Sequence, residues 1–115
     1  DSAPYIQYSY ARASSILRKA KPVVKADLNL LQKDEEIKLI KHISKFKDVI
    51  IMMKPQVIAA YAFDLAQLFN EFYHNCHVIS KDKEIMHARL ELVKATRYVL
   101  KNALNLLGID AVDKM

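Results

Sequence analysis

Three side chains that could bind a metal or act in catalysis lie close together in the sequence. His74, Cys76 and His77 fall within the stretch FNEFYHNCHVIS at residues 69–80. A structural metal site needs three or four ligands, usually from two separated pairs, and the remaining two histidines are isolated from each other. Cysteine catalysis needs a base and an oxyanion hole, and nothing nearby indicates either. We therefore expect no metal site here and interpret the stretch as a helix end that turns into a loop.

The residues that cradle nucleotides are also missing. The chain has a single glycine, which excludes both the phosphate-binding loop and the dinucleotide fingerprint. The paired carboxylates Glu35 and Glu36 stand at a predicted helix start, where capping accounts for them. We expect this chain to contain no catalytic residue and no cofactor-binding residue.

An aromatic and basic face is the strongest functional candidate. Tyr5, Tyr8, Arg12 and Lys19 recur on one side of the first predicted helix, roughly opposite its apolar side. Aromatic rings stack on unpaired bases, and arginine adds phosphate pairing and planar stacking. Docking of this face against another protein domain is the alternative. The residues alone leave both open, and the formal net charge of +5 tilts slightly toward RNA.

The composition bounds the fold. The chain has 115 residues, is 52% hydrophobic and contains only three prolines. This length suits one domain with a real core, and the scarcity of turn residues argues against a sandwich of many short strands. No apolar run approaches the roughly 20 residues that span a bilayer. We predict one all-α domain over residues 1–115, and the lack of an initiator Met suggests a piece of a longer protein.

Hydrophobic periodicity predicts five helical segments. They span residues 4–21, 34 to a break at 46–47, 48–53, 55–75 and 83–107, with a connector at 22–33. The segment 55–75 is apolar nearly all round, which is typical of the buried centre of a bundle. Ser80 or Asp82 is expected to cap the last helix, and Gly108 to end it in a left-handed conformation.

The apolar positions of the second helix are Ile37, Ile40 and Ile43, which recur at helical spacing. Met52 and Met53 follow in the short third helix and are interpreted as core-filling residues.

The order of segments resembles a known family. YIQYSYARASSILRKA (5–20) resembles the helix that opens the C-terminal anticodon-binding domain, of the DALR type, in arginyl-tRNA synthetases. DLAQLFNEFYHNCHV (64–78) is similar to the middle of that domain, and RLELVKATRYVLKNALNLLGIDAVDKM (89–115) to its closing helix and terminal methionine. One segment and one residue depart from the family. HARL (87–90) matches the Asp-Ala-Leu-Arg pattern only loosely, and Val112 stands where proline is usual.

The resemblance implies a fold and a site. The fold is all-α: an antiparallel helical bundle, the anticodon-binding domain of a class Ia aminoacyl-tRNA synthetase. Tyr8 and Tyr73 would stack on an anticodon base, Arg12 would pair with a phosphate or a base edge, and Met115 would close the pocket. Three neighbours are weaker candidates: Tyr5, His74 and Asn75.

The resemblance also implies a parent enzyme in the cytoplasm that uses ATP, Mg²⁺ and L-arginine to charge arginine tRNA. The expected partners are the anticodon stem-loop of arginine tRNA and the catalytic domain of the same chain, with neither a membrane nor DNA. The 115 residues alone are expected to bind tRNA weakly and not to aminoacylate. Two alternatives remain: the equivalent domain of another class I synthetase such as the cysteine enzyme, which the ending LLGI…M argues against, and a helical protein-interaction module.

Overall fold

The computed structural model describes residues 2–23 and 25–115. These residues form five α-helices and one short 3-10 helix and contain no β-strand. The elements are α1 (Ala3–Lys19), the 3-10 helix (Leu28–Leu30), α2 (Asp34–Ser44), α3 (Phe46–Ile51), α4 (Pro55–Asn75) and α5 (Lys83–Leu106). The expected all-α class is confirmed. The predicted connector 22–33 includes Val24, which lies outside the described residues, as does Asp1.

The four long helices alternate in direction along the chain. Tyr5 near the start of α1 packs on Phe63 of α4, and Arg12, further along α1, contacts Asn70, further along α4, so these two helices run the same way. In contrast, the N-terminal end of α2 approaches the C-terminal end of α4, and α5 returns antiparallel to α4 after a short loop. The result is the expected antiparallel bundle.

Helix α4 lies at the centre of the bundle. It packs against α1, α2, α3 and α5, and Leu65, Phe69 and Phe72 along it are completely buried. The prediction of a central buried helix is confirmed. Within the described residues, none of the helices combines the length and the apolar character needed to cross a membrane.

Both ends of α5 are built from the residues that the sequence indicated. The Asp82 carboxylate accepts hydrogen bonds from the backbone N–H groups of Glu84 (3.1 Å) and Ile85 (3.4 Å). At the other end Gly108 has φ +71°. Its N–H donates to the Asn105 carbonyl and the N–H of Ile109 donates to that of Leu104. This pair of bonds is a Schellman motif, and it turns the following residues back along the bundle.

The buried side of α2 differs from the expectation. Ile37 and Ile40 are more than a third exposed, whereas Glu36 and Leu39 are fully buried and Ile43 is half-buried. Glu36 can be buried because Arg89 of α5 donates an Nε–H to it at 2.8 Å. A hydrophobic pattern does not assign a charged side chain to the core, so of the buried side of α2 the apolar positions mark only Ile43, which packs against the core.

The expectation that Met52 and Met53 fill the core is wrong. Met52 is 51% exposed and Met53 is 78% exposed. Met53 has φ +54° and reverses the chain between α3 and α4. Both side chains therefore lie at the tip of a turn on the surface.

Candidate nucleic-acid interface

Two adjoining grooves flank the outward side of α1. The first, which we name the tail groove, has a volume of about 550 Å³ and is lined by Tyr5, Tyr8, Arg12, Asn70, Lys114 and Met115, among others. The second, the histidine groove, has a volume of about 630 Å³ and is lined by Arg12, Lys19, Tyr73, His74, His77 and Ile79, among others. Arg12 and Ser15 belong to both, so the two grooves form one continuous surface.

Arg12 is held rigidly at the boundary between the grooves. Its Nη1 donates a hydrogen bond to Asn70 Oδ1 at 2.8 Å. Its guanidinium carbon lies 4.3 Å from the centre of the Tyr73 ring, a distance at which a cation is attracted by the face of an aromatic ring. The side chain is therefore fixed both in the plane of the guanidinium and perpendicular to it.

Asn70 organises this boundary, although the sequence analysis did not select it. While its carbonyl oxygen accepts from Arg12, its Nδ2 donates to the Tyr5 hydroxyl (3.0 Å) and to Ser9 Oγ (3.0 Å). One amide thus orients a cation and an aromatic ring on α1. The signal that could have found it is its position three residues before Tyr73, which places both on one face of α4.

A second missed residue, Asp113, brings the tail onto the bundle. One oxygen of its carboxylate accepts hydrogen bonds from the Tyr10 hydroxyl (2.9 Å), Ser14 Oγ (3.1 Å) and Arg97 Nη2 (3.1 Å). These donors, Tyr10 first, lower the pKa of Asp113 below its ordinary value. Burial raises the pKa of Tyr10, and its hydrogen bond to Asp113 adds to that effect. Met115, two residues further on, is thereby placed in the tail groove.

The candidate residues do not all share one groove. Tyr8 and Met115 both line the tail groove and are 58% and 57% exposed. Tyr73 and His74 line the histidine groove, and their rings meet edge to face. The structure thus divides the expected pocket into two compartments.

Two of the weaker candidates have different settings. Tyr5 lines the tail groove, and its ring packs on Phe63 with centroids 5.4 Å apart. The side chain of Asn75 instead donates to the carbonyl of Glu71 at 2.8 Å, within α4. Tyr5 therefore belongs to the surface formed by the tail groove and the histidine groove, whereas Asn75 lines neither groove.

The residues around Cys76 have a structural role at the end of α4. Cys76 is fully buried, and burial raises the pKa of its thiol, which opposes formation of the nucleophilic thiolate. The backbone carbonyl of His77 accepts a hydrogen bond from Arg89 Nη1 at 2.8 Å. In the part of the chain that the structure describes, no three His, Cys, Asp or Glu side chains are grouped so that they could hold a metal ion.

Comparison with known proteins identifies the family. The sequence model of the DALR anticodon binding domain family matches residues 6–115 of this chain. This chain belongs to the DALR anticodon-binding domain family. The expectation from the residues at 5–20, 64–78 and 89–115 is therefore confirmed.

Relatives of this DALR domain include much longer proteins. An arginine–tRNA ligase from Clostridium perfringens is 44% identical over 123 residues, which cover 100% of this chain and 22% of the relative. One from Moorella thermoacetica is 43% identical over 122 residues, covering 96% of this chain and 22% of the relative. The chain thus spans about a fifth of the length of these relatives.

Solved structures agree with the fold. Arginyl-tRNA synthetase from Thermus thermophilus superposes with a TM-score of 0.88 and 33% identity, over 97% of this chain and 21% of that one. The enzyme from Plasmodium falciparum gives a TM-score of 0.78 at 33% identity, over 96% of this chain and 21% of that one. The helical bundle thus matches about a fifth of the length of each of these synthetases.

Proposed function

We propose that this chain recognises the anticodon stem-loop of arginine tRNA as the single anticodon-binding domain, residues 1–115, of an arginyl-tRNA synthetase. One observation carries the proposal: Arg12, stacked on Tyr73 and held by Asn70, stands between two grooves that expose aromatic side chains. Its neighbours offer flat faces for bases, and its guanidinium offers donors for phosphate or base-edge oxygens.

The proposed contacts follow from the two compartments. Tyr8 and Met115 would enclose an unpaired base in the tail groove, with Tyr5 behind them. Tyr73 has one face covered by Arg12, so a second base would stack on the outer side of the guanidinium or on the free face of the ring, beside His74. Base stacking tolerates every base, whereas the oriented Arg12 donors can distinguish base edges.

The parent protein in this proposal is an arginine–tRNA ligase that attaches L-arginine to its tRNA. ATP and Mg²⁺ would be used by its catalytic domain, which would be the intramolecular partner of the present residues. A cytoplasmic location belongs to the same proposal. The relatives, which are arginine–tRNA ligases, favour this parent over the cysteine enzyme. The 115 residues alone would bind tRNA without aminoacylating it.

The proposal is tested by titrating the chain with arginine tRNA stem-loops that differ at the middle anticodon base. Because stacking on one aromatic residue is worth about 1–3 kcal/mol per base, we expect Tyr8→Ala and Tyr73→Ala each to weaken binding by on the order of five- to 150-fold. Both should also reduce discrimination between the stem-loops.

Tyr98 provides a matched control. It is 66% exposed on α5 and does not line either groove, so Tyr98→Ala should bind like the wild type. If Tyr8→Ala and Tyr73→Ala remain folded by circular dichroism and also bind like the wild type, the proposed pocket is wrong.

A further inference from the structure

The residues that line one continuous surface carry an excess of positive charge. A third groove, which we name the basic cleft, has a volume of about 520 Å³ and shares Arg18 and Asp113 with the tail groove. Seven Lys or Arg residues and two acidic residues line the three connected grooves. The remaining eleven basic and eleven acidic residues of the sequence cancel formally. The lining of this surface therefore has the same formal net charge, +5, as the whole chain.

The basic cleft combines an apolar floor with a cationic rim. The floor is formed by Leu17 near the end of α1, Val23 and Leu90 of α5. Lys21 and Lys94 lie on the rim, are exposed, and form no ion pair with another described residue. The cleft thus holds two lysines without an ion-pair partner among the described residues, beside side chains that favour apolar contact.

The two arginines of the cleft are engaged differently. Arg97 forms an ion pair with Asp113 at 3.1 Å and lies over the ring of Tyr10 at 4.9 Å. Arg18 donates to the backbone carbonyl of Asp113 at 3.1 Å. Both arginines therefore already contact the tail. Lys21 and Lys94 remain as the cations of the cleft that can bind an external anion.

We propose that the basic cleft binds the phosphodiester backbone of the RNA strand that continues from the anticodon loop into its stem. The inference rests on the proposed function. It adds a contact that strengthens RNA binding without distinguishing one base from another. A strand that leaves the tail groove passes Arg18 and Asp113 directly into the cleft, where Lys21 and Lys94 face phosphates and the floor faces riboses. Phosphate contacts of this kind position a nucleic acid without selecting its sequence.

The contact has a specific salt dependence. Each phosphate neutralised by a lysine releases condensed counterions, and the slope of log affinity against log salt changes by about 0.7–0.9 per contact. Removal of one such lysine should lower that slope by about 1 and weaken binding equally for all base sequences. When the salt is raised from about 50 to about 200 mM, each lysine removed should make the loss of affinity about 2.6- to 3.5-fold smaller than in the wild type.

The experiment measures stem-loop affinity of the 115-residue chain over this salt range for Lys21→Ala, Lys94→Ala and the double variant. Lys38→Ala and Lys47→Ala are matched controls, since both lysines are exposed and lie on α2 and α3, away from the three grooves. We expect the cleft variants to lose affinity and salt slope while they retain discrimination at the middle anticodon base. The control variants should follow the wild type.

The outcomes separate this inference from the proposed function. If the wild type discriminates between stem-loops and the Lys21 and Lys94 variants behave like the controls, the cleft assignment is wrong. The same result would be obtained if the cleft served an acidic protein partner. If instead the Lys21 and Lys94 variants lose salt slope but no tyrosine variant changes discrimination, the cleft stands and the base-recognition pocket fails. Absence of any stem-loop binding by the wild type would overturn both.

Discussion

Individual polar side chains decide how this surface is organised. Arg12 is oriented by Asn70 and Tyr73 in the unbound chain, so its rotamer freedom is already reduced before a ligand binds. Since ordering a long side chain at an interface costs about 0.5–1.5 kcal/mol, this arrangement favours tighter binding. Between α2 and α5, Glu36 and Arg89 form a buried pair whose side chains are 1% and 10% exposed. Glu36 also accepts from the backbone N–H of Lys33 at 3.0 Å, and so caps α2.

Removal of Arg89 is predicted to be strongly destabilising. Arg89→Met keeps much of the alkyl volume and leaves the Glu36 carboxylate buried without its partner, which typically costs about 3–5 kcal/mol. Urea unfolding followed by circular dichroism measures the change in the free energy of unfolding. The double variant Arg89→Met with Glu36→Gln should recover a large part of the loss because no unpaired charge remains. A loss below about 1 kcal/mol for the single variant would contradict a stabilising role for this pair.

At the level of elements, the end of α5 determines where the tail can go. The Schellman motif at Gly108 reverses the chain, and Gln7 of α1 then donates to the carbonyl of Asp110 at 3.0 Å. Helix α5 therefore contributes to the candidate site through its termination as well as through Arg97. The central helix α4 has a comparable double role: Phe69 and Phe72 are buried in the core, while Asn70 and Tyr73, on the adjoining face, support Arg12.

Gly108→Ala is predicted to destabilise the domain by about 1–2 kcal/mol, the cost of a left-handed conformation for an L-residue. An added Cβ would meet no heavy atom within 4 Å, so the cost is one of backbone conformation and not of collision. Gly108→Asn is the control because asparagine tolerates this conformation better, and it should lose less. Thermal and urea unfolding of the two variants test the order, and an Ala variant as stable as the wild type would refute it.

Across the whole molecule, one carboxylate joins the tail to two helices. Asp113 receives hydrogen bonds from α1 and α5, and Tyr10 lies 103 positions away in the sequence. These contacts bring the tail groove, the basic cleft and the tail together at a single point. The same side chain limits the positive potential of the surface, since it and Glu91 are the two acidic residues that line the three grooves.

The attachment of the tail is predicted to weaken in acid. The pKa of Asp113 is lowered in the folded state, so its ionised form favours the docked tail at pH values above its ordinary pKa of 3.8. This contribution is lost as the pH falls through the lowered value. A carboxyl-carbon NMR titration should give a midpoint for Asp113 below 3.8, with the tail amides losing protection from exchange over the same range.

Tyr10→Phe is the control for this titration. The tyrosine hydroxyl is the strongest cause of the lowered pKa, so its removal should move the midpoint of Asp113 toward 3.8. A wild-type midpoint at or above that value, or a tail that stays equally protected after Asp113 is protonated, would show that the carboxylate does not hold the tail.

The helices themselves could be predicted with good accuracy from local patterns. The expected spans 55–75 and 83–107 agree with α4 and α5 to within one residue, because an apolar face, a capping Asp82 and a terminating Gly108 all act over a few neighbouring positions. The predicted end of α1 was two residues too late, and the break before α3 was placed one or two residues late. Tyr8 and Arg12 were candidates from the residue pattern of the first helix, whereas the roles of Tyr73 and Met115 came from the resemblance to the family. The roles of all four in binding stay predictions.

The sequence by itself determined the all-α class, the central position of α4 and the aromatic and basic face of α1. These features depend on the spacing of residues within one helix, and hydrophobic periodicity predicts them from the sequence of that helix alone. Only the tertiary structure decided that Asn70 holds Arg12, that Glu36 is buried with Arg89, that Met53 is exposed, and that Asp113 places Met115 beside Tyr8. The physical reason is that the exposure of Met53 depends on where the chain turns, and the three polar arrangements depend on which groups find partners across the bundle, at separations such as 58, 53 and 103 residues. No local pattern encodes that pairing.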